Sequence, residues 1–140
     1  MNRQKKVMIF GVFDRLHEGN ISFIRQAQAH GDGLIAVVAR DEVVHTLKGK
    51  MPQQTHDERI AALARLPEIS RAVLGDETQG TYEVIAEHKP DTICLGYDQY
   101  PLAEDLYAKM KNGAIPVISI QRLIAHESQK FHTSLLTRAM

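Results

Sequence analysis

The stretch GVFDRLHEGN, residues 11–20, joins a short apolar run to a segment with helical spacing. A buried strand that leads directly into a helix begins a βαβ unit. Gly11 ends the predicted strand, where the missing Cβ would let a ligand approach the backbone. His17 and Asn20 lie three residues apart at the predicted start of the helix, so both side chains can face the same side of its first turn.

A helix start of this kind presents unpaired N–H groups and a partial positive charge, which favour phosphate. The imidazole of His17 could add a hydrogen bond to a phosphoryl oxygen, and could do so as a cation. Alternatively, Asn20 only caps the helix and His17 is an ordinary surface residue of the loop. From these residues alone, both interpretations stay open.

Outside this stretch, apolar runs alternate with helical patterns along the chain. Such runs are typical of parallel strands that are buried on both faces. The pattern predicts strands at 7–12, 34–39, 71–75, 92–96 and 116–120. It predicts helices at 19–30, 56–65, 80–88 and 102–111, and a short last helix from about residue 134. We therefore expect one α/β domain over residues 1–140, a doubly wound, Rossmann-like fold with a five-stranded parallel sheet.

Turn signals lie between these elements. Gly31 and Gly113 are placed where a helix C-cap glycine belongs. The acidic groups in 40–42 and 75–77 follow strands and are expected to cap turns or helices. The segment KGKMPQQTHD, residues 48–57, reads as a long loop that carries two lysines. Because ligands of doubly wound folds bind beyond the carboxyl ends of the strands, these loops are the expected location of a site.

Composition excludes some classes of partner. Lys and Arg together number 17, as do Asp and Glu, so no net basic field favours a nucleic-acid partner. The single cysteine, Cys94, lies in an apolar run and is expected to be a buried structural thiol of a reducing compartment. We find neither a signal-peptide pattern nor an apolar run of about 18 residues that could span a membrane. We expect a cytoplasmic protein that binds neither membrane nor nucleic acid.

The stretch at 11–20 resembles the G-x-F-D-x-x-H-x-G-H signature of the cytidylyltransferase-like nucleotidyltransferases. The matching residues are Gly11, Phe13, Asp14, His17 and Gly19, whereas Asn20 replaces the second histidine. Three further stretches resemble the family in the same order, at 39–63, 95–99 (LGYDQ) and 130–136 (KFHTSLL). The segments VVARDE, LKGK, LGDE and LGYDQ most resemble those of the archaeal-type FAD synthases. The glycerol-3-phosphate cytidylyltransferases are the second most similar group.

The resemblance implies transfer of a nucleoside monophosphate from ATP or CTP to a phosphate-bearing acceptor, with release of pyrophosphate. It implies Mg²⁺ or another divalent cation, bound mainly through the phosphates, and a homodimer. Adenylyl transfer to FMN is the first expectation, and cytidylyl transfer to a phosphorylated alcohol such as glycerol 3-phosphate is the alternative. A third possibility is a nucleotide-binding homologue with weakened catalysis, because an amide at Asn20 carries no positive charge.

The resemblance also implies roles for individual residues. The catalytic group would comprise His17, Asn20 and Lys48. Lys50 and Arg59 would face the acceptor. The nucleotide and its phosphates would be bound by Gly11, Val12, Phe13, Asp14, Gly19, Gly96, Asp98, Gln99, Thr133 and Ser134. Asp14 would lie near the metal, or would only fix its loop. We further hypothesise that His132 or Lys130 supplies the charge that Asn20 lacks.

Overall fold

The computed structural model describes residues 4–124. Its parallel strands form one five-stranded sheet in the order β3-β2-β1-β4-β5, which confirms the predicted doubly wound fold. The strands are β1 Lys6–Gly11, β2 Gly33–Val38, β3 Arg71–Leu74, β4 Thr92–Leu95 and β5 Ser119–Arg122. The helices are α1 Glu18–Gln28, α2 Asp41–Lys48, α3 His56–Ala64, α4 Glu83–His88 and α5 Tyr100–Lys111.

The direction of winding reverses at β1, since β2 pairs with one of its sides and β4 with the other. The loops that follow β1 and β4 therefore diverge at the carboxyl edge of the sheet. This is the position at which doubly wound folds bind their ligands. Within residues 4–124, no helix has the length and apolar character needed to cross a bilayer.

Each face of the sheet has its own apolar core. One core contains Val7 and Ile9 of β1 together with Ile24 of α1 and Leu63 of α3. The other contains Met8 of β1 with residues from α4 and α5. Strand residues alternate between faces with a period of two, so the continuous apolar run of β1 serves both cores. Cys94 is buried in the first core, as predicted, and burial raises the pKa of its thiol to about 11.

Helix α2 was not among the predicted helices, and the segment 48–57, which starts at its last residue, was predicted as a loop. The signals for the helix are nevertheless local. Asp41 and Glu42 lie in its first turn, Lys48 lies in its last, and Gly49 ends it with φ at 76°. Negative charge at a helix start and positive charge at its end complement the helix dipole.

The cap predictions have different outcomes. Gly113 has φ at 81°, just after α5, as a C-cap glycine should. Asp76 accepts hydrogen bonds from the N–H groups of Glu83 and Val84 and so caps α4. The prediction for Gly31 is wrong, since α1 has Ala29 at its C-cap. Gly31 is instead a close-packing site, where a Cβ would lie 2.7 Å from Val7 Cγ2 and 2.8 Å from the carbonyl oxygen of Lys5.

Replacing Gly31 by alanine should lower the free energy of unfolding by about 1–3 kcal/mol, the usual effect of overpacking. The backbone oxygen beside it belongs to the chain next to β1, so it cannot move away without disturbing the central strand. Urea denaturation gives the measurement. Gly33→Ala is the matched control, because a Cβ there meets only Ser70 Oγ at 3.5 Å. Equal stability of both variants would contradict the packing argument.

Candidate functional site

The start of α1 is closed by a reciprocal pair of hydrogen bonds. His17 is the N-cap residue, and its Nδ1 accepts from the N–H of Gly19 at 3.1 Å. In return, the N–H of His17 donates to Oδ1 of Asn20 at 3.1 Å. Asn20 thus supplies the second half of a capping box, in which two otherwise unpaired donors are satisfied. The capping interpretation holds for Asn20, and it extends to His17 as well.

The same contact determines how His17 can act on a ligand. An N–H can donate to Nδ1 only if that nitrogen carries no proton, so in this arrangement the ring proton is on Nε2. The side chain is exposed, which leaves the Nε2–H available to solvent and to ligands. His17 therefore offers a neutral donor. A cationic ring, which the sequence also allowed, would carry a proton on Nδ1 and would have to give up the cap.

Gly11 is required by the protein's own packing. A Cβ at this position would lie 2.8 Å from Cε2 of Phe13, whose ring is only 5% exposed. Packing against the Phe13 ring by itself accounts for a glycine here, and the approach of a ligand to its backbone stays a prediction. Phe13 has φ at 54°, an unusual backbone conformation for a residue with a large side chain. The ring is directed inward into the core beneath the loop.

Arg59 is buried completely, which does not fit its predicted contact with the acceptor. Its Nη1 donates to the carbonyl oxygens of Val12 and Ala39 at 2.9 and 2.8 Å. Its Nε donates to the carbonyl oxygen of Gln54 at 3.1 Å, and its Nη2 pairs with Asp41 at 2.6 Å. Arg59 thus joins the loop after β1, the end of β2 and the segment before α3. Its role in this structure is to hold the three backbones together.

Asp14 fixes the same loops from the outside. Its two carboxylate oxygens accept from the N–H groups of Gln53 and Gln54 at 2.8 and 2.9 Å. Partial burial raises the pKa of this carboxyl, but those two hydrogen bonds and the charges of Arg59 and Arg15 lower it more, so the net shift is downward. Asp14 is therefore an ionised acceptor that fixes its loop, and its predicted position near a metal stays a prediction.

Lys48 and Lys50 are exposed residues at and just beyond the end of α2. The segment that follows them is bound to the β1–α1 loop through Asp14 and through the buried Arg59. Both lysines therefore lie on the chain that borders the His17 loop. The structure brings these separate parts of the sequence to one edge of the sheet.

The loop after β4 reaches this edge from the other side. Oε1 of Gln99 accepts from the N–H of Gly96, and its Nε2 donates to the carbonyl oxygen of Phe10, both at 2.9 Å. Gln99 thus ties the end of β4 to the end of β1. Asp98 beside it is exposed. Of the residues predicted to contact the nucleotide here, Asp98 offers a free-standing side chain, whereas both polar atoms of Gln99 already bond to the backbone.

An open groove runs along α1 from His17 past Ile21 to Gln26. At its far end the amide of Gln26 exchanges two hydrogen bonds with the backbone of Ile124. The predicted ligands and cations in the closing segment, and the last predicted helix, lie outside the described residues; they are Lys130, His132, Thr133 and Ser134. Within residues 4–124, no group of three or more His, Cys, Asp or Glu side chains is arranged to hold a metal ion.

Sequence reasoning missed the capping function of His17 and the buried location of Arg59. The first had a signal, since a residue with a side-chain acceptor three positions before Asn20 at a helix start is the pattern of a capping box. The second had none. A lone arginine in a helix whose neighbours are charged looks like a surface residue until the fold is known.

Comparison with known proteins finds relatives over nearly the whole chain. The family model described as cytidylyltransferase-like matches residues 8–138. The chain is 33% identical over 137 residues to the FAD synthase of Pyrococcus abyssi, covering 98% of this chain and 93% of that protein. It is 39% identical over 124 residues to the FAD synthase of Thermoplasma volcanium, covering 89% and 85%.

Solved structures have the same fold. A lipopolysaccharide core biosynthesis protein from Thermoplasma volcanium superposes with a TM-score of 0.81 at 35% identity, over 89% of this chain and all of that one. A pantoate–β-alanine ligase from Francisella tularensis, solved with an ATP analogue and β-alanine, has a TM-score of 0.63 at 15% identity, over 91% of this chain and 61% of that one, and shows the fold alone. The predicted resemblance is confirmed: this chain belongs to the cytidylyltransferase-like family.

Proposed function

We propose that this protein is an FAD synthase, which transfers the adenylyl group of ATP to FMN and releases pyrophosphate. The observation that carries the proposal is the capped start of α1, which presents the Nε2–H of His17 at the switch point of the sheet. The choice of ATP and FMN is supported by the similarity of nearly the whole chain to archaeal FAD synthases. CTP and another phosphorylated acceptor remain the alternative pair.

In this reaction a phosphate oxygen of FMN attacks the α-phosphorus of ATP. A new P–O bond forms, the bond from the α-phosphorus to the oxygen that bridges it to the β-phosphorus breaks, and that oxygen leaves with pyrophosphate. The protein needs no nucleophilic side chain, because catalysis consists of positioning the two phosphates and stabilising the charge that develops. The Nε2–H of His17 would donate to the developing charge, and the partial positive charge at the N-terminus of α1 would add to this stabilisation.

The positive charges would come from lysines. Lys48 and Lys50 are exposed on the chain that borders the His17 loop, and both would meet phosphates, with Lys50 on the acceptor side. Because His17 donates as a neutral ring and Asn20 uses its amide oxygen in the cap, neither of them supplies a full charge. We expect Lys130 or His132, and the hydroxyls of Thr133 and Ser134, to complete the phosphate contacts.

A divalent cation fits this site only as a companion of the nucleotide. Both oxygens of Asp14 accept N–H donors, and the described residues offer no cluster of carboxylates that would form a cage. Mg²⁺ is commonly bound through substrate phosphates with few protein ligands. When bound, it would neutralise charge on the triphosphate, and the exposed carboxylate of Asp98 in the loop after β4 would be available to it.

The direct test is pyrophosphate release by the purified protein with Mg²⁺, offered ATP or CTP and either FMN or glycerol 3-phosphate. Release with ATP and FMN alone is the expected result. Release with CTP and glycerol 3-phosphate would overturn the choice of substrates but keep the reaction. Tight nucleotide binding without release from any pair would identify a weakened homologue. A homodimer is a further expectation, which sedimentation of the purified protein would test.

Asn20→Asp should separate stability from activity. A carboxylate can accept from the N–H of His17 as the amide does, and negative charge at a helix start stabilises by about 0.3–1 kcal/mol. The same charge would repel the phosphates of ATP, so pyrophosphate release should fall at least about tenfold. Chemical denaturation and initial rates give the two measurements. Asn20→His is the companion variant, and we expect it to retain or raise activity. Activity of Asn20→Asp equal to the wild type would place the phosphates away from this turn.

A further inference from the structure

Four hydrogen bonds connect the His17 loop to the segment before α3. The carboxylate of Asp14 accepts from the N–H groups of Gln53 and Gln54. In the other direction, Arg15 donates to both glutamine side chains. Its backbone N–H donates to Oε1 of Gln54 and its Nη1 donates to Oε1 of Gln53, both at 2.9 Å. Side chains of each segment thus bind the other segment. We call these residues, Asp14, Arg15, Gln53 and Gln54, the clasp.

The clasp has a counterpart inside the protein. Arg59, on the buried side, donates to the carbonyl oxygens of Val12 and Gln54, one from each of the two segments. Arg15 has φ at 52°, a left-handed conformation that residues with side chains keep only where their surroundings enforce it. In this conformation its own N–H donates to Oε1 of Gln54. The two segments are therefore held at a set distance and orientation from both sides.

Lys50 is only three residues from Gln53, a length of chain that spans at most about 11 Å. Pro52 lies between them and restricts the backbone further. His17 follows Arg15 by two residues in the other segment. Along the chain and across its hydrogen bonds, the clasp thus connects Lys50, a candidate phosphate cation, to His17, the candidate donor, so the separation of the two depends on it.

We propose that Gln53 and Gln54 are positioning residues that hold Lys50 at the acceptor side of the site. This inference rests on the proposed function. They touch no substrate in this scheme and act through the lysine. Loss of a positioning contact moves a reacting group by a fraction of an ångström to an ångström, and a shift of 1 Å can lower a rate by about 100-fold. Part of the clasp remains when one glutamine is removed, so a smaller loss is expected.

The test is a double-mutant cycle between Gln54→Ala and Lys50→Ala. Gln54→Ala alone should lower kcat/KM for FMN about tenfold, with the KM for ATP unchanged. In the Lys50→Ala background the same change should have little further effect, since the group that it positions is already absent. Losses that multiply in the double variant would overturn the proposal. Gln121→Ala is the matched control. Among residues 4–124 the amide of Gln121 donates to Ser119 Oγ on the edge strand alone, so this variant should leave all parameters unchanged.

A second measurement does not depend on the reaction. Cleavage of the full chain by trypsin after Lys48 and Lys50, followed by mass spectrometry, should be several times faster in Gln54→Ala than in the wild type or in Gln121→Ala. Equal cleavage rates would overturn the clasp even if the enzyme is active. If the wild type released no pyrophosphate from any substrate pair, the proposed function would fail, and faster cleavage would still support the clasp.

Discussion

Replacing His17 by asparagine should lower the rate of pyrophosphate release by about 100- to 1,000-fold, the effect of removing one donor from a developing negative charge. The protein should remain as stable as the wild type. Asparagine is among the best N-cap residues, so its side-chain oxygen can take over the hydrogen bond from the N–H of Gly19. The substitution therefore removes the Nε2–H donor and keeps the cap. Initial rates and chemical denaturation measure the two effects.

His17→Ala provides the comparison, because it removes both the donor and the cap. It should lose the same activity and, in addition, about 1 kcal/mol of stability. If His17→Asn kept wild-type activity while His17→Ala lost stability, His17 would be a capping residue only, and the assignment of this turn to phosphate binding would be wrong.

Replacing Arg59 by methionine should lower the free energy of unfolding by about 3–5 kcal/mol, the usual result of removing one partner of a buried ion pair. Methionine fills much of the space but donates no hydrogen bond. The carboxylate of Asp41 would lose its charged partner, and the carbonyl oxygens of Val12 and Ala39 would lose their donor. Unpaired buried polar groups of this kind account for most of the expected loss. Urea denaturation with a constant m-value provides the measurement.

The double variant Arg59→Met with Asp41→Asn is the control. It leaves no unpaired charge, so it should recover part of the stability that the single change loses. A single variant of full stability whose KM for FMN rises would contradict this account. That result would return Arg59 to the acceptor contact expected from the sequence.

The strands and the turn after β1 show which features local sequence can predict. The apolar runs predicted all five strands and their parallel arrangement, because a strand that is buried on both faces has apolar residues at consecutive positions. The last strand begins at Ser119, three residues later than predicted, since the exposed Val117 is apolar without being part of the sheet. The residues of the His17 turn were found for the same reason: a strand end, a cap and a helix start are neighbours in sequence.

The roles of Arg59, Asp14 and Gln99 required the tertiary structure. Their partners are distant in the chain: Arg59 bonds to Val12 across 47 positions, Asp14 to Gln54 across 40, and Gln99 to Phe10 across 89. A charged or amide side chain has the same appearance in the sequence whether it meets a ligand or a backbone carbonyl. Which of the two partners such a side chain meets depends on the tertiary structure. The folded sheet buries backbone groups at its carboxyl edge, and each of them needs a hydrogen-bond partner.

The sequence by itself thus determined the five strands, the doubly wound class and the turn that carries the candidate chemistry. Each of these follows from short-range patterns of burial and capping. Only the tertiary structure decided which polar residues of that edge stay free for a ligand. His17 and the two lysines remain exposed, whereas Arg59 and Gln99 bond to the protein's own backbone. The reason is that buried backbone groups from distant segments must be hydrogen-bonded, and these two side chains supply the partners.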